Sequence, residues 1–385
     1  MKPRILGQGL HPFRSPFSTR GKFVSRSWNR HASCSSSSAS SSESTPPKQR
    51  LWVKLAVVGV AAAGIGAYIR KSQQDGPSTL NPLAFTKYTL IAKEPVSSTG
   101  SIFTLKPPKP DLNSTVYEAA WQTGVWSVMF KQPQLQIGRD YTPLPATTTD
   151  NQDEDVLRFF IRKDAFGEMS RYLHGLGIGS LVEMRGPKIE YKIPKQTQEI
   201  LFIAGGTGIA PALQAGHTLL RRTDETRKPR IHILWANRRR EDCAGGVNDT
   251  SAKPQKTRRF WFFGPRTPAS PSSVPDVQRH TAAQSLVVRE LEALKSQYPG
   301  QVTVDYFVDE EKTFIKKQDI LDFTNSTHPN GSRLPKNRMI LISGPEGFIS
   351  YMAGPKLWAQ GTEVQGPLRG IISELDLKDW ATWKL

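Results

Sequence analysis

Apolar and polar positions follow one rhythm up to about residue 194 and another beyond it. Residues 85–105 alternate, rich in β-branched side chains and broken by Pro95, Gly100 and Pro107, the pattern of short antiparallel strands. Residues 125–130 (VWSVMF) and 156–162 (VLRFFIR) read as further strands, and residues 177–187 as turn, strand and turn. An antiparallel β-barrel over 80–195 is the expected architecture. The rhythm then lengthens. EILFIA at 199–204 is a continuous apolar run suited to a strand buried on both faces. A glycine turn follows it, then a helix with Pro211 in its first turn and a stripe of Ala212, Leu213, Leu219 and Leu220. Strands at 230–236, 302–308 and 338–343 and a helix at 285–297 predict a doubly wound α/β domain over 196–365, with 366–385 as a C-terminal tail.

Upstream of the barrel, residues 51–69 (LWVKLAVVGVAAAGIGAYI) are apolar with Lys54 near one end, nearly long enough to cross a bilayer. Lys48 and Arg50 precede the run, and Arg70 and Lys71 follow it. A transmembrane helix at 51–70 is expected, the other reading being a weakly apolar buried helix. Residues 1–42 hold no Asp or Glu but carry basic residues from Lys2 to Arg30 and a serine run at 35–38, which predicts a mitochondrial presequence over 1–50. A basic arm that touches nucleic acid or membrane is the alternative. Presequence and span together predict the mitochondrial inner membrane, with the folded part facing the intermembrane space.

The net charge of +18 owes part of its size to the presequence, and the remaining basic residues favour anionic lipid or an acidic protein. Only Cys34 and Cys243 are available, so neither a disulfide framework nor a Cys-based zinc site is possible, and no metal is expected. Residues 243–283, rich in Pro, Ser, Lys and Arg, are too long for an ordinary loop and too polar for a core element. They read as a disordered insertion. Its knot of Arg258, Arg259, Phe260 and Trp261 has no nucleic-acid-binding fold beside it, and no such partner is expected.

Two short stretches carry the chemistry. A flavin dinucleotide needs a flat side chain for its rings and a fixed cation for its pyrophosphate. Tyr141 and Arg139 supply both on one strand face, since positions i and i+2 point the same way. Thr142, before the bend at Pro143, offers a hydroxyl. Gly167, Glu168, Met169 and Ser170 open a short helix whose backbone N–H groups could meet the same pyrophosphate, or simply start a helix. Gly205, Gly206, Thr207 and Gly208 let backbone approach a phosphate at a strand's carboxyl end, or form a tight turn with no ligand. Ser343, Gly344 and Pro345 close another strand. Arg238, Arg239 and Arg240 follow the 230–236 strand, where Arg accommodates a ribose 2'-phosphate, although they also fit a solvated loop.

At these residues the chain resembles the ferredoxin reductase and NADH-cytochrome b5 reductase superfamily, over about residues 85–361. The matching positions are Arg139, Tyr141, Thr142, Gly167, Met169, Ser170, Gly205 to Pro211, Gly344 and Pro345. Ser343 stands where that family carries Cys. The resemblance implies FAD on the first group and NADH or NADPH on the second, with Thr142 and Ser343 at the hydride-transfer site. With its presequence, span and insertion, the chain looks most like the fungal mitochondrial flavoproteins of cytochrome c import and haem maturation. That likeness implies an NAD(P)H-dependent flavoprotein reductase delivering electrons to haem or the cytochrome c maturation machinery. An NADH-cytochrome b5 reductase and a catalytically weak, flavin-binding assembly factor are the alternatives.

Overall fold

The computed structural model describes residue 59 and residues 79–109, 113–146, 156–222, 228–250, 284–325 and 337–385. The chain divides into two units, Met1–Ile65 and Gly66–Leu385, and every element below belongs to the second. The expected presequence, the apolar run at 51–70 apart from Gly59, and residues 251–283 of the insertion lie outside the described residues. Among the described residues no helix is long and apolar enough to cross a membrane.

Seven antiparallel strands form the first domain: β1 (Thr86–Pro95), β2 (Gly100–Lys106), β3 (Gly124–Gln132), β4 (Ile137–Tyr141), β5 (Pro143–Leu144), β6 (Leu157–Arg162) and β7 (Leu181–Lys192). They lie in the order β4-β3-β7-β1-β2-β6-β5, curled until β5 meets β3. The period of two puts Tyr88, Leu90, Phe103, Trp126, Phe130, Phe159 and Met184 into one interior. β1 stays continuous by a bulge between Leu90 and Ala92. Two helices accompany the sheet, α1 (Ser114–Thr123) and α2 (Glu168–Gly175), and α2 packs on β3 and β4.

The second domain begins with β8 (Glu199–Gly205), all seven residues of which are buried, as its unbroken apolar run requires. After it come α3 (Ile209–Leu220), β9 (Arg230–Asn237), α4 (Leu286–Gln297), β10 (Val302–Val308), α5 (Lys317–Thr324), β11 (Arg338–Ser343) and α6 (Glu346–Ala353). A hairpin of β12 (Leu357–Ala359) and β13 (Thr362–Val364) leads to α7 (Gly370–Ser373) and β14 (Ala381–Lys384). The parallel sheet runs β10-β9-β8-β11-β14. The chain therefore winds outward from β8 in one direction and from β11 in the other, which leaves a crevice where their carboxyl ends diverge. Residues 366–385, read in the sequence as a tail, supply α7 and the edge strand β14 instead. Trp380 is 8% exposed in the core, and the Trp383 ring lies 4.9 Å from that of Tyr191.

The domains share a core. Ile102, Val125, Leu144, Phe160 and Ile193 of the barrel join the cluster beneath α3 and α4. Eleven of the twelve residues of α3 are buried, because it lies between sheet and barrel. Its Gln214 accepts from Trp126 N at 2.9 Å and donates to the Pro143 carbonyl at 2.8 Å. On the same boundary Arg158 of β6 meets Glu290 of α4 at 2.8 Å, their side chains 13% and 8% exposed.

Candidate functional site

On β4, Ile137, Arg139 and Tyr141 share a face, and Ile137 and Tyr141 pack against the barrel core with Arg139 exposed between them. Arg139 donates only to the neighbouring Gly138 carbonyl, at 3.0 Å, and has no carboxylate partner among the described residues. The Tyr141 ring lies 5.0 Å from Phe130. Burial pushes its phenol up to about 12, against the opposing effect of Arg139, so it stays a neutral donor. Next to β4 stands the start of α2. No side chain caps that helix, so its first N–H groups remain available to an anion. Gly167 is required at its N-cap, since a Cβ there would stand 2.8 Å from Ser170 Oγ. The side chains of Met169 and Ser170 are engaged within the chain. Met169 is 2% exposed in the core, while Ser170 Oγ accepts from Asp164 N at 3.0 Å and donates to the Gly167 carbonyl at 3.1 Å. A guanidinium without a carboxylate partner among the described residues, a half-buried ring and an uncapped helix suit FAD.

Gly206 takes a φ of +55°, and the Trp235 indole N–H holds its carbonyl at 2.9 Å. Gly208 packs so closely on the end of β11 that a Cβ would stand 2.4 Å from the Ser343 carbonyl oxygen. Phe348 of α6 fills the space over Gly205 and Gly344, where Cβ atoms would meet its Cδ1 at 2.8 and 2.9 Å. Thr207 is half-buried in the turn, and Pro211 is buried in the first turn of α3. Beside them opens a cleft of about 520 Å³, at the carboxyl ends of the strands, whose lining includes Gly205, Gly206, Arg238 and Pro345. Thr142 and Ser343 are not among its lining residues. Thr142 follows β4 beside the Pro143 carbonyl held by α3, and Ser343, 8% exposed, ends β11. Gln214 thus ties Pro143, two residues past the Arg139–Tyr141 strand, to the helix that follows the glycine turn.

Of the three arginines after β9, two are engaged elsewhere. Arg239 reaches Glu241 at 3.2 Å, and Arg240 forms a two-pronged pair with Glu311. Only Arg238 lines the cleft, and Asp309 lines it too. Sequence reasoning missed four further lining residues. Arg162 comes from the barrel, pairs with Asp242, and has a buried Nε without an acceptor. Asn237 is 3% exposed, with neither amide atom hydrogen-bonded. Phe314 and Tyr351 are aromatic and 52% and 62% exposed. Buried amide and guanidinium atoms lacking partners beside a largely apolar cleft fit a dinucleotide.

Residues 87–193 match the oxidoreductase FAD-binding domain, and residues 202–269 the oxidoreductase NAD-binding domain. An uncharacterized FAD-binding protein of Schizosaccharomyces pombe is 26% identical over 321 residues, 83% of this chain and 92% of its own length. The cytochrome c mitochondrial import factor of Saccharomyces cerevisiae is 27% identical over 336 residues, 83% of this chain and 87% of its own. NADH-cytochrome b5 reductase 2 of Meyerozyma guilliermondii is 25% identical over 241 residues, 62% of this chain and 64% of its own. The chain is thus built from the FAD-binding and NAD-binding oxidoreductase domains of the ferredoxin reductase family, with FAD and NAD(P)H as their cofactors.

Proposed function

We propose that the protein is a membrane-anchored mitochondrial NAD(P)H-dependent reductase that passes electrons through FAD to haem or a haem protein, in support of haem attachment to cytochrome c. One observation carries the reductase reading: the helix that follows the glycine turn is tied through Gln214 to β3 and to Pro143, two residues past the Arg139–Tyr141 strand, at a single domain boundary. When bound, FAD supplies the means to take a hydride from a reduced nicotinamide and hand electrons on. The chain's own groups do the rest. Arg139 and the first N–H groups of α2 neutralise the pyrophosphate, and Tyr141 supports the ring system as a neutral donor. Gly205 and Gly206 admit the nucleotide backbone-close, over a floor made by Phe348. Ser343 replaces the family thiol at the end of β11 with a hydroxyl.

The haem acceptor is supported by the name of the Saccharomyces relative, and the membrane anchor and mitochondrial setting by the basic N-terminus and the run at 51–69. The b5 reductase relatives favour a second reading, in which a small haem protein is the acceptor. Anaerobic mixing of the full-length flavoprotein with NADH or NADPH should bleach the flavin, and ferric haem should then restore its colour faster than ferricytochrome b5. The reverse order selects the second reading. Bound flavin that neither nucleotide bleaches would instead mark a flavin-stabilised assembly factor.

Two further outcomes are expected. Protease added to mitochondria with ruptured outer membranes should degrade the reductase domains; protection until the inner membrane is dissolved would reverse the topology. Arg238→Ala should weaken NADPH relative to NADH by roughly 1 kcal/mol, about fivefold, the modest value of an exposed cation. The ratio of the two dissociation constants, taken from flavin-reduction kinetics, checks this, and an unchanged ratio removes Arg238 from the phosphate site.

A further inference from the structure

The turn between β1 and β2 reaches across the domain boundary. Ser98 donates to Glu241 twice, from backbone N to Oε2 at 3.1 Å and from its hydroxyl to Oε1 at 2.6 Å. Ser97 donates from Oγ to Asp242 Oδ1 at 2.7 Å. Asp242, 2% exposed, also accepts Arg162 from the end of β6. Arg239 joins them at the surface, lying 3.2 Å from both Ser98 Oγ and Glu241 Oε1. Two consecutive serines of the barrel therefore hold two consecutive acids of the α/β domain. The turn is itself closed, since the N–H groups of Val96 and Ser97 both reach the Gly100 carbonyl, at 2.8 and 3.1 Å. The bonds from Ser98 keep the Glu241 carboxyl below the usual carboxylate range, so the clasp is charged at neutral pH.

The place of this clasp gives it a consequence beyond packing. The acids it grips start three residues after Arg238, which lines the nucleotide cleft, and the cleft's other cation, Arg162, is bonded to Asp242. The nucleotide is held by one domain and the flavin by the other, so the angle between domains sets how closely the nicotinamide approaches the flavin. Reacting atoms must come within about 3–3.5 Å, and a 1 Å misplacement can cost about 100-fold in rate. Helix α3 fixes the interface at β3 and β5, and the β1–β2 turn fixes it at the loop leaving β9.

We propose that Ser98 and Glu241 form a positioning pair, which sets the alignment of the nucleotide cleft on the flavin face without touching either cofactor. The proposal rests on the reductase reading above. Its signature is a separation of rate from affinity: binding belongs to the cleft, which the pair leaves intact, while hydride transfer depends on the alignment.

Full-length flavoprotein carrying Glu241→Ala, Glu241→Gln or Ser98→Ala is compared with wild type by anaerobic stopped-flow with NADH and NADPH. Equilibrium titration with NAD+ and NADP+, followed through the flavin absorbance bands, gives affinities without turnover. In Glu241→Ala and Ser98→Ala the limiting rate of flavin reduction should fall about 10- to 100-fold, the range that misplacement on this scale produces. The long-wavelength absorbance of stacked nicotinamide and flavin should fade with it, while the dissociation constants should move by less than about threefold. Glu241→Gln should recover most of the rate, because its amide can still accept from the Ser98 N–H and donate to the Ser98 hydroxyl. A wild-type limiting rate and stacking band in Glu241→Ala overturn the proposal, as does a loss confined to the dissociation constant, which would put Glu241 in the binding site. If neither nucleotide reduces the wild-type flavin, the reductase reading falls and the positioning role falls with it.

Discussion

A protein carrying Arg139→Ala and Tyr141→Ala is expected to purify without stoichiometric FAD. Arg139 has no competing carboxylate among the described residues, so its removal takes the fixed cation from the flavin face without rearranging an ion pair. A charge-assisted hydrogen bond is worth about 1.5–3 kcal/mol. Loss of the Tyr141 ring removes about 0.5–1.5 kcal/mol of stacking as well. Together these amount to roughly 2–4.5 kcal/mol, or about 30- to 2,000-fold in Kd. The ratio of flavin to protein absorbance after purification, and its recovery on adding FAD, gives the result directly. A double variant that stays fully yellow would place the flavin elsewhere. Helix α2 carries no capping side chain at its N-terminus, so it should retain a weaker share of the affinity in either single variant.

Glu290→Ala should cause the largest loss of stability, at about 3–5 kcal/mol, because it removes the carboxylate that Arg158 meets inside the domain boundary. Arg158 is 13% exposed there and also donates to the Pro145 carbonyl at 3.0 Å, so it cannot simply swing into water. Urea unfolding followed by tryptophan emission would report the change as a lower midpoint at unchanged slope. Combining Arg158→Ala with Glu290→Ala should recover part of the loss, since neither charge is then stranded. A drop of less than about 1 kcal/mol in Glu290→Ala would mean that water reaches the pair as it reaches an exposed one.

What could be read from the chain beforehand follows the range of the interactions involved. The strands β6 and β8 to β11 announce themselves because burial on one or both faces leaves a local periodicity. Arg139, Tyr141 and the glycine turn are legible for a related reason: backbone geometry fixes their spacing within a few residues. Helix α1 escaped because only Tyr117 and Ala120 of its ten residues are buried, too few to make a stripe. Strand β14 escaped because four residues beside β11 carry no period of their own. The side chains of Arg162 and Asn237 reach the cleft through tertiary packing alone. VLRFFIR gives no sign that its last arginine crosses to another domain. The run Arg238 to Arg240 misled in the opposite sense, since Glu311, some seventy residues on, takes one arginine and only folding brings it there.

The root of the insertion is a rigid collar. On the outgoing side, Asn248, Asp249 and Thr250 bond to β10: Asn248 Oδ1 accepts from Tyr306 N at 2.8 Å, and Thr250 N donates to Asp305 at 3.1 Å. On the returning side, Ser285 N donates to the Ala244 carbonyl at 3.0 Å. Residues 251–283 therefore begin and end on anchored backbone. Both flanks are thus tied to the α/β core, and loosening the outgoing one, as in Asn248→Ala, should be felt first along β10.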